Sequence, residues 1–129
     1  MDDPMADAYI VRDISKTTEG SWRWTYQHPE LRFYLKQTSG AKLAVDFSVP
    51  EATFKDTGPV TITFRVNGHV LDKVLCDKAG NRHFEKAVPS AFLRAREDNF
   101  VAMEADKKWV SKDDGAVLSF LLTRAGFVQ

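Results

Sequence analysis

The fold of this chain is decided by residues 60–66, VTITFRV, in which apolar and polar side chains alternate without a break. A period of two is typical of a half-buried β-strand, because successive side chains point to opposite faces of a sheet. Asn67-Gly68 follows at once, and these two residue types best tolerate the positive φ angles of a tight hairpin turn. A second apolar run begins at Val70. The stretch therefore predicts a β-hairpin near the centre of the chain.

The register of this hairpin needs one adjustment. A strict two-residue turn would pair Ile62 with Lys73 and would place the lysine on the core face. An extra residue in one strand shifts the pairing by one position and turns the lysine outward. We therefore predict a bulge or a longer loop in the hairpin.

The same alternation recurs on both sides of the hairpin. Strong runs lie at 31–35, 43–49, 101–105 and 116–122, and weaker ones at 9–14, 22–26, 70–76 and 82–88. Roughly nine short strands separated by turn residues are typical of a sandwich or barrel. The sequence predicts an all-β, antiparallel two-sheet β-sandwich that spans residues 1–129 as one domain, with residues 1–8 as a flexible N-terminal tail.

One segment departs from the β pattern. Residues 89–96 begin with Pro89, which suits the first position of a helix, and continue with good helix formers. We expect one or two helical turns here, crossing between the sheets, with Phe92 and Leu93 directed to the edge of the core.

Composition excludes some function classes and leaves others open. The formal net charge is zero, with 18 basic and 18 acidic residues, which argues against nucleic acid as a partner. No apolar run is long enough for a membrane span, and the acidic start at residues 1–5 is not a signal peptide. The compartment stays open, since the chain is equally compatible with a complete product and with an excised domain.

Cys76 is the single cysteine, so no intrachain disulfide forms, and we expect it to be a small core residue.

Aromatic residues give the clearest candidate ligand contacts. Trp22, Trp24 and Tyr26 share one face of a strand. This face is either an exposed platform for sugar rings, or a part of the core or a cover over a sheet edge. Trp109 lies in a polar segment, 107–114, and is either a ligand contact or a lid over the core.

Polar residues supply no recognised catalytic or metal motif. His28, His69 and His83 form no metal-binding spacing, which argues against a metal-dependent cupin, and each is expected to be a solvated or hydrogen-bonded structural residue. An enzyme would need one of them to converge with a carboxylate in a pocket. Four residues in predicted loops carry side-chain oxygens that could bind calcium, but Asp and Asn are also typical turn formers: Asp77, Asn81, Asp113 and Asp114. We predict no cofactor, and structural calcium is an alternative that this spacing does not support.

Four features follow one another along the chain: residues 64–71 (FRVNGHVL), Phe84, residues 88–93 (VPSAFL), and the return strand 99–106 (NFVAMEAD). In this order they resemble the galactose-binding-domain-like jelly rolls, which include the sugar-binding domains attached to glycoside hydrolases. The resemblance covers roughly residues 41–129, and residues 60–106 carry it. It implies a jelly-roll topology and a non-catalytic accessory role. Because the ligand contacts of such domains lie in variable loops, it transfers no binding residue to this chain.

The resulting functional prediction is a carbohydrate-binding-type accessory domain without catalytic activity. Binding would combine aromatic stacking with polar contacts from loops, and the candidate residues are Trp22, Trp24, Trp109, Arg32 and Asp113. The alternative is a structural or protein–protein interaction domain that docks against a neighbouring domain or self-associates. The predicted partner is thus a glycan or a neighbouring protein domain.

Overall fold

The computed structural model describes residues 9–14, 23–107, 109–110, 117–118 and 120–129. Strands dominate these residues, and two short helical elements interrupt them. The strands are β1 (Ile10–Ile14), β2 (Arg23–Leu35), β3 (Lys42–Val49), β4 (Val60–Val66), β5 (His69–Cys76), β6 (Gly80–Ala87), β7 (Glu97–Ala105), β8 (Trp109–Val110), β9 (Val117–Leu118) and β10 (Leu121–Val128). The helical elements are the α-helix α1 (Glu51–Thr57) and a 3₁₀ turn (Ser90–Phe92).

The main strands form two antiparallel sheets that share β2. Sheet I has the order β5-β4-β7-β2-β1, and sheet II has the order β2-β10-β3-β6, while β8 and β9 pair separately. Residues 23–24 of β2 pair with β10, and residues 30–35 pair with β7. Pro29, which has no backbone N–H to donate, lies between these two paired stretches. The long strand thus joins the two sheets.

The apolar faces of the two sheets pack against each other. The inward positions of β3 and β4 are all buried, which is what their alternating sequences predict. Phe64 of β4 stacks on Phe84 of β6 with ring centroids 4.1 Å apart, and it packs against Phe47 of β3 at 6.0 Å. Each such side chain contributes about 1.5–3 kcal/mol by leaving water. The predicted two-sheet antiparallel β-sandwich is confirmed.

The central hairpin contains the predicted bulge. β4 and β5 pair with one register shift, and the extra residue is Leu71, whose side chain is buried. Ile62 consequently pairs with Val74, and Lys73 is exposed. The bulge keeps the lysine out of the core.

The segment after Pro89 forms the predicted short helical turn, with Leu93 buried and Phe92 half-buried against the core. The sequence interpretation missed α1, which follows Pro50 and ends where Gly58 takes a φ of 72°. Its seven residues are too few to show a clear helical period.

A network of hydrogen bonds ties the hairpin turn to the 3₁₀ turn and to β7. We call Asn67, Asn99 and the backbone groups that they bind the polar corner. The Asn67 side chain donates to the Phe92 carbonyl at 2.7 Å and accepts from the Phe100 N–H at 2.9 Å. Asn99 is fully buried; its amide oxygen accepts from the Arg94 N–H, and its amide nitrogen donates to the carbonyls of Arg94 and Glu97. The two asparagines also bond to each other at 2.9 Å.

Two predictions about chain organisation stay predictions. The flexible tail at residues 1–8 lies outside the described residues. The assignment of all 129 residues to one domain is likewise untested. In the part of the chain that the structure describes, no helix has the length and apolar character needed to cross a bilayer.

Candidate functional site

The outer face of sheet II gathers charged side chains from three neighbouring strands. Arg124 of β10 lies opposite Asp46 of β3, and Asp46 lies opposite His83 of β6. Directly opposed residues have Cβ atoms about 4.5–5.5 Å apart, so the three side chains form one row across the sheet. In the next row, Gly126 and Glu85 flank Ala44.

This face contains a depression of about 320 Å³, which we call the outer depression. Its lining combines the four charged residues with small and apolar ones: Ala44, Asp46, His83, Glu85, Arg124, Ala125, Gly126, Phe127 and Val128. Gly126 and Ala44 have almost no side-chain volume, while Glu85 beside them and the neighbouring row carry long polar side chains. That difference in height creates the concavity, whose volume lies at the lower end of the range for small-molecule sites, about 300–1,000 Å³.

A β-bulge in β10 turns Arg124 toward this depression. The register with β3 shifts between Leu122 and Arg124, which leaves Thr123 as an extra residue. Leu122 is buried in the core and Arg124 is exposed on the outer face. In an unbroken strand, residues two apart share a face, so without the bulge Arg124 would point into the core.

His83 lies between two carboxylates. Its Nδ1 donates a short hydrogen bond to Asp46 Oδ1, and its Nε2 lies 3.8 Å from Glu85 Oε1. The hydrogen bond with Asp46 is the main reason that the pKa of His83 is raised above its ordinary value, and the charges of Asp46 and Glu85 add to the effect. The hydrogen bond between His83 and Asp46 links β3 and β6 on the outer face.

Among the described residues, the Arg124 guanidinium has no partner within the chain. It forms no hydrogen bond or ion pair with another described residue, whereas Arg65 pairs with Glu104 at 3.5 Å and Arg82 with Asp77 at 3.3 Å. Its cross-strand neighbour Asp46 bonds to His83 instead. A guanidinium carries five N–H donors in a planar fork, so the depression contains donors that are available to a ligand.

The chemistry of the outer depression is that of polar contacts. Asp46 and Glu85 offer acceptors, Arg124 offers donors, and small residues let a ligand approach the sheet. A histidine between two carboxylates can also exchange protons. However, the His83 side chain is 57% exposed, and no serine, threonine or cysteine is among the lining residues.

The structure places Trp24 and Tyr26 on an outer face of the sandwich. Trp24 is half-buried and Tyr26 is 38% exposed, while Arg23 and Thr25 between them are buried. The Thr25 hydroxyl donates to the Phe120 carbonyl at 3.0 Å, which accounts for its inward position. Neither the Trp24 nor the Tyr26 side chain is buried in the core, and the interpretation that this face covers a sheet edge stays a prediction.

Of the five candidate residues, the structure describes the side chains of two, Trp24 and Arg32, and it does not bring these two together. Trp24 belongs to the stretch of β2 that pairs in sheet II, and Arg32 is exposed in the stretch that pairs with β7 in sheet I. Eight residues of extended chain separate them by roughly 25 Å. Trp22 and Asp113 lie outside the described residues. Trp109 pairs with Leu118 through its backbone, and its side chain lies outside the description.

Sequence reasoning missed Asp46, His83 and Arg124 as a group. Each belongs to a different strand, and neighbouring strands β3, β10 and β6 are far apart in sequence. One signal was present. At β10, the inward apolar residues change from even-numbered positions (Phe120, Leu122) to odd-numbered positions (Ala125, Phe127). This change marks the bulge that exposes Arg124.

The predictions about metals and cofactors stay predictions. Among the described residues, no group of three or more His, Cys, Asp or Glu side chains is placed to hold a metal ion. Asp77, one of the loop oxygens considered for calcium, instead pairs with Arg82. Asp113 and Asp114 lie outside the described residues.

No protein-family model matches this chain, and no curated protein matches it. Among solved structures, the chain is similar to "Native structure of a family 35 carbohydrate binding module from Clostridium thermocellum". The identity is 12% over 91% of this chain and 92% of that chain, with a TM-score of 0.47. The functional argument below therefore depends on the residues of this chain alone.

Proposed function

We propose that this chain is a carbohydrate-binding-type accessory domain without catalytic activity, and that it binds a glycan on the outer face of sheet II. The observation that supports the proposal is the presence of Trp24 and the outer depression on the same sheet face. An aromatic ring and a set of open polar groups on one surface are the two components that a sugar needs. As part of the proposal, the sandwich has the jelly-roll topology of galactose-binding-like domains.

The spacing along the sheet supports one continuous binding surface. Trp24 pairs with Leu121, which pairs with Ser48, and Ser48 lies two residues from Asp46 in β3. Two strand spacings across and two residues along place the Cα atoms of Trp24 and Asp46 about 12 Å apart. A short oligosaccharide can span this distance, with one sugar on the Trp24 ring and another in the depression. Apolar C–H groups of the sugar would contact the ring, and its hydroxyls would contact the charged groups.

A glycan array followed by titration of intrinsic tryptophan fluorescence tests the proposal. The glycan that binds best should lose roughly two- to twelvefold in affinity with Trp24→Ala, since an aromatic contact is worth about 0.5–1.5 kcal/mol. Tyr34→Ala is the matched control, because Tyr34 is 57% exposed on β2 where that strand pairs in sheet I. A folded protein that binds no glycan on the array would contradict the proposal.

One observation favours the alternative, an interaction domain that docks against a neighbouring domain or a second copy. β5 is an edge strand of sheet I, and its Val70 and Leu75 side chains are exposed. Exposed apolar residues on a sheet edge are typical of pairing surfaces. Light scattering distinguishes the alternatives: a dimer that Leu75→Lys dissociates would support docking, and a monomer at all concentrations would contradict self-association.

A further inference from the structure

We propose that Asp46 and Arg124 form a subsite for two adjacent hydroxyls of a neutral sugar, and that His83 is the positioning residue that holds Asp46. This inference rests on the proposed function and names the ligand class and the residues of its polar end. Asp46 and Arg124 are cross-strand neighbours, so a carboxylate acceptor and a guanidinium donor stand side by side at the outer depression.

The hydrogen-bonding groups of the pair complement a vicinal diol. Asp46 uses Oδ1 for His83, and its Oδ2 bonds to no other described side chain. Arg124 has all its donors available with respect to the described residues. One sugar hydroxyl can donate to Asp46 Oδ2, while the adjacent hydroxyl accepts from Arg124. Both bonds involve a charged partner, which makes them stronger than bonds between neutral groups.

The charges of the depression favour an uncharged ligand. When His83 is protonated, the depression contains two positive groups, His83 and Arg124. They balance its two negative groups, Asp46 and Glu85. A sugar that carries an acidic or a basic group would therefore meet a like charge as well as an opposite one.

The floor of the depression determines how closely the sugar can approach. Gly126 and Ala44 form the row beside the charged residues, and a Cβ atom added at Gly126 would meet no atom within 4 Å. A sugar ring can therefore lie close to the β10 backbone beside Arg124. A larger side chain at this position would occupy the space without disturbing the strand.

His83 fixes the orientation of the Asp46 carboxylate. The charged groups that face it are Asp46 on β3 and Glu85 on its own strand, and Arg124 follows on β10 beyond Asp46. Loss of the imidazole proton removes the positive charge beside Asp46 and leaves a neutral N–H as the donor to the carboxylate, so the carboxylate is held less firmly. Sugar affinity should thus be highest below the pKa of His83 and should fall as the pH rises through it.

The test titrates the labelled protein with methyl glycosides of galactose, glucose and mannose, and with analogues that lack one of two adjacent hydroxyls. NMR detects the weak binding expected of a single sugar. Asp46→Asn and Arg124→Gln should each weaken the best-bound glycoside about tenfold, the effect of losing one hydrogen bond to a charged group. The deoxy analogue should bind about as weakly to the wild type as the parent glycoside binds to these variants.

Two controls separate a subsite from a structural effect. Arg65→Gln removes an arginine from the outer face of sheet I and should leave binding unchanged. His83→Gln should keep the fold and should make the affinity independent of pH between about pH 5 and 9, around the ordinary pKa of histidine. A role in stability alone would change the unfolding midpoint but would not flatten the pH profile of binding.

The possible outcomes are distinct. Binding that Asp46→Asn and Arg124→Gln leave within twofold of the wild type would overturn the subsite and leave the proposed function standing. Tighter binding of glucuronic acid or glucosamine than of glucose would overturn the preference for a neutral sugar. If no glycan or glycoside binds to the folded protein, both the subsite and the proposed function fail.

Discussion

The polar corner and the outer depression both bring polar side chains together, but they use them in opposite ways. In the polar corner, the amides of Asn67 and Asn99 bond to backbone groups of the 3₁₀ turn and β7 and to each other. In the outer depression, the Arg124 side chain makes no bond to a described residue, and one Asp46 carboxylate oxygen bonds to no described side chain. Groups whose partners lie within the chain stabilise the fold, whereas groups that still need partners are available to a ligand.

Burial accounts for this difference. Asn99 is fully buried, and a buried polar group without a partner costs about 1–3 kcal/mol, so the fold must supply its hydrogen bonds. The Asp46 and His83 side chains are exposed enough for water to supply theirs. Only the second arrangement lets a ligand replace water without disturbing the sandwich.

The largest expected effect is on the polar corner. Asn99→Ala removes the hydrogen bonds to the backbone of Arg94 and Glu97 and the bond to Asn67. We expect the free energy of unfolding in urea to fall by about 3 kcal/mol, because several buried groups lose their partners at once. Asn81→Ala, at an exposed asparagine of β6, is the matched control and should change it by less than about 0.5 kcal/mol. Equal effects of the two substitutions would contradict the structural role of the corner.

A smaller, pH-dependent effect is expected at the outer depression. Asp46→Asn should lower the pKa of His83 toward its ordinary value, since the hydrogen bond with Asp46 is the main cause of the raised pKa. A raised folded pKa stabilises the protein below the unfolded pKa, and this stabilisation is lost as the pH rises through the folded pKa. The variant should therefore lose stability at pH 5 and hardly differ from the wild type at pH 9. NMR titration of the His83 ring and urea unfolding at both pH values measure this, and an unchanged pKa of His83 would contradict it.

The smallest effect is expected at the open edge of the sandwich. Lys86 of β6 donates to Asp72 of β5 at 3.1 Å, so this ion pair joins the edge strands of the two sheets. The backbone N–H of Lys73 and the Lys86 side chain lower the pKa of Asp72. Both partners of the pair are more than 40% exposed, so its coupling energy should be below about 1 kcal/mol.

A double-mutant cycle with Asp72→Asn and Lys86→Met measures that coupling energy at low and at high salt. Screening should reduce it further in high salt. Because the folded pKa of Asp72 is lowered, its contribution is present above the unfolded pKa and disappears as the pH falls through the folded pKa. A coupling energy that salt leaves unchanged would show that the edge is held by something other than this pair.

Local patterns in the sequence predict most of the sandwich. Alternation identifies the strands and their buried faces, as in residues 43–49 and 60–66, because a half-buried strand repeats every two residues. The misplaced Lys73 indicates the hairpin bulge, and Pro89 indicates the helical turn. Each of these signals lies within a few residues of the feature that it predicts.

The outer depression could not be predicted in this way. Asp46, His83 and Arg124 become neighbours only through the order β10-β3-β6, which joins strands from both halves of the chain. Local sequence could not predict whether Trp24 lies on a buried or an exposed face, for the same reason. The answer depended on the inward position of Thr25, which the distant Phe120 holds by hydrogen bonds.

The most direct test of the account is NMR shift mapping of the wild type and of Gly126→Val with the methyl glycoside that binds best. Valine fills the floor of the outer depression, suits a strand, and meets no atom within 4 Å of its Cβ. The account predicts that shifts in the wild type concentrate on β3, β6 and β10, and that the variant keeps its unfolding midpoint but loses these shifts. Shifts that lie elsewhere, or that persist unchanged in Gly126→Val, would contradict the account.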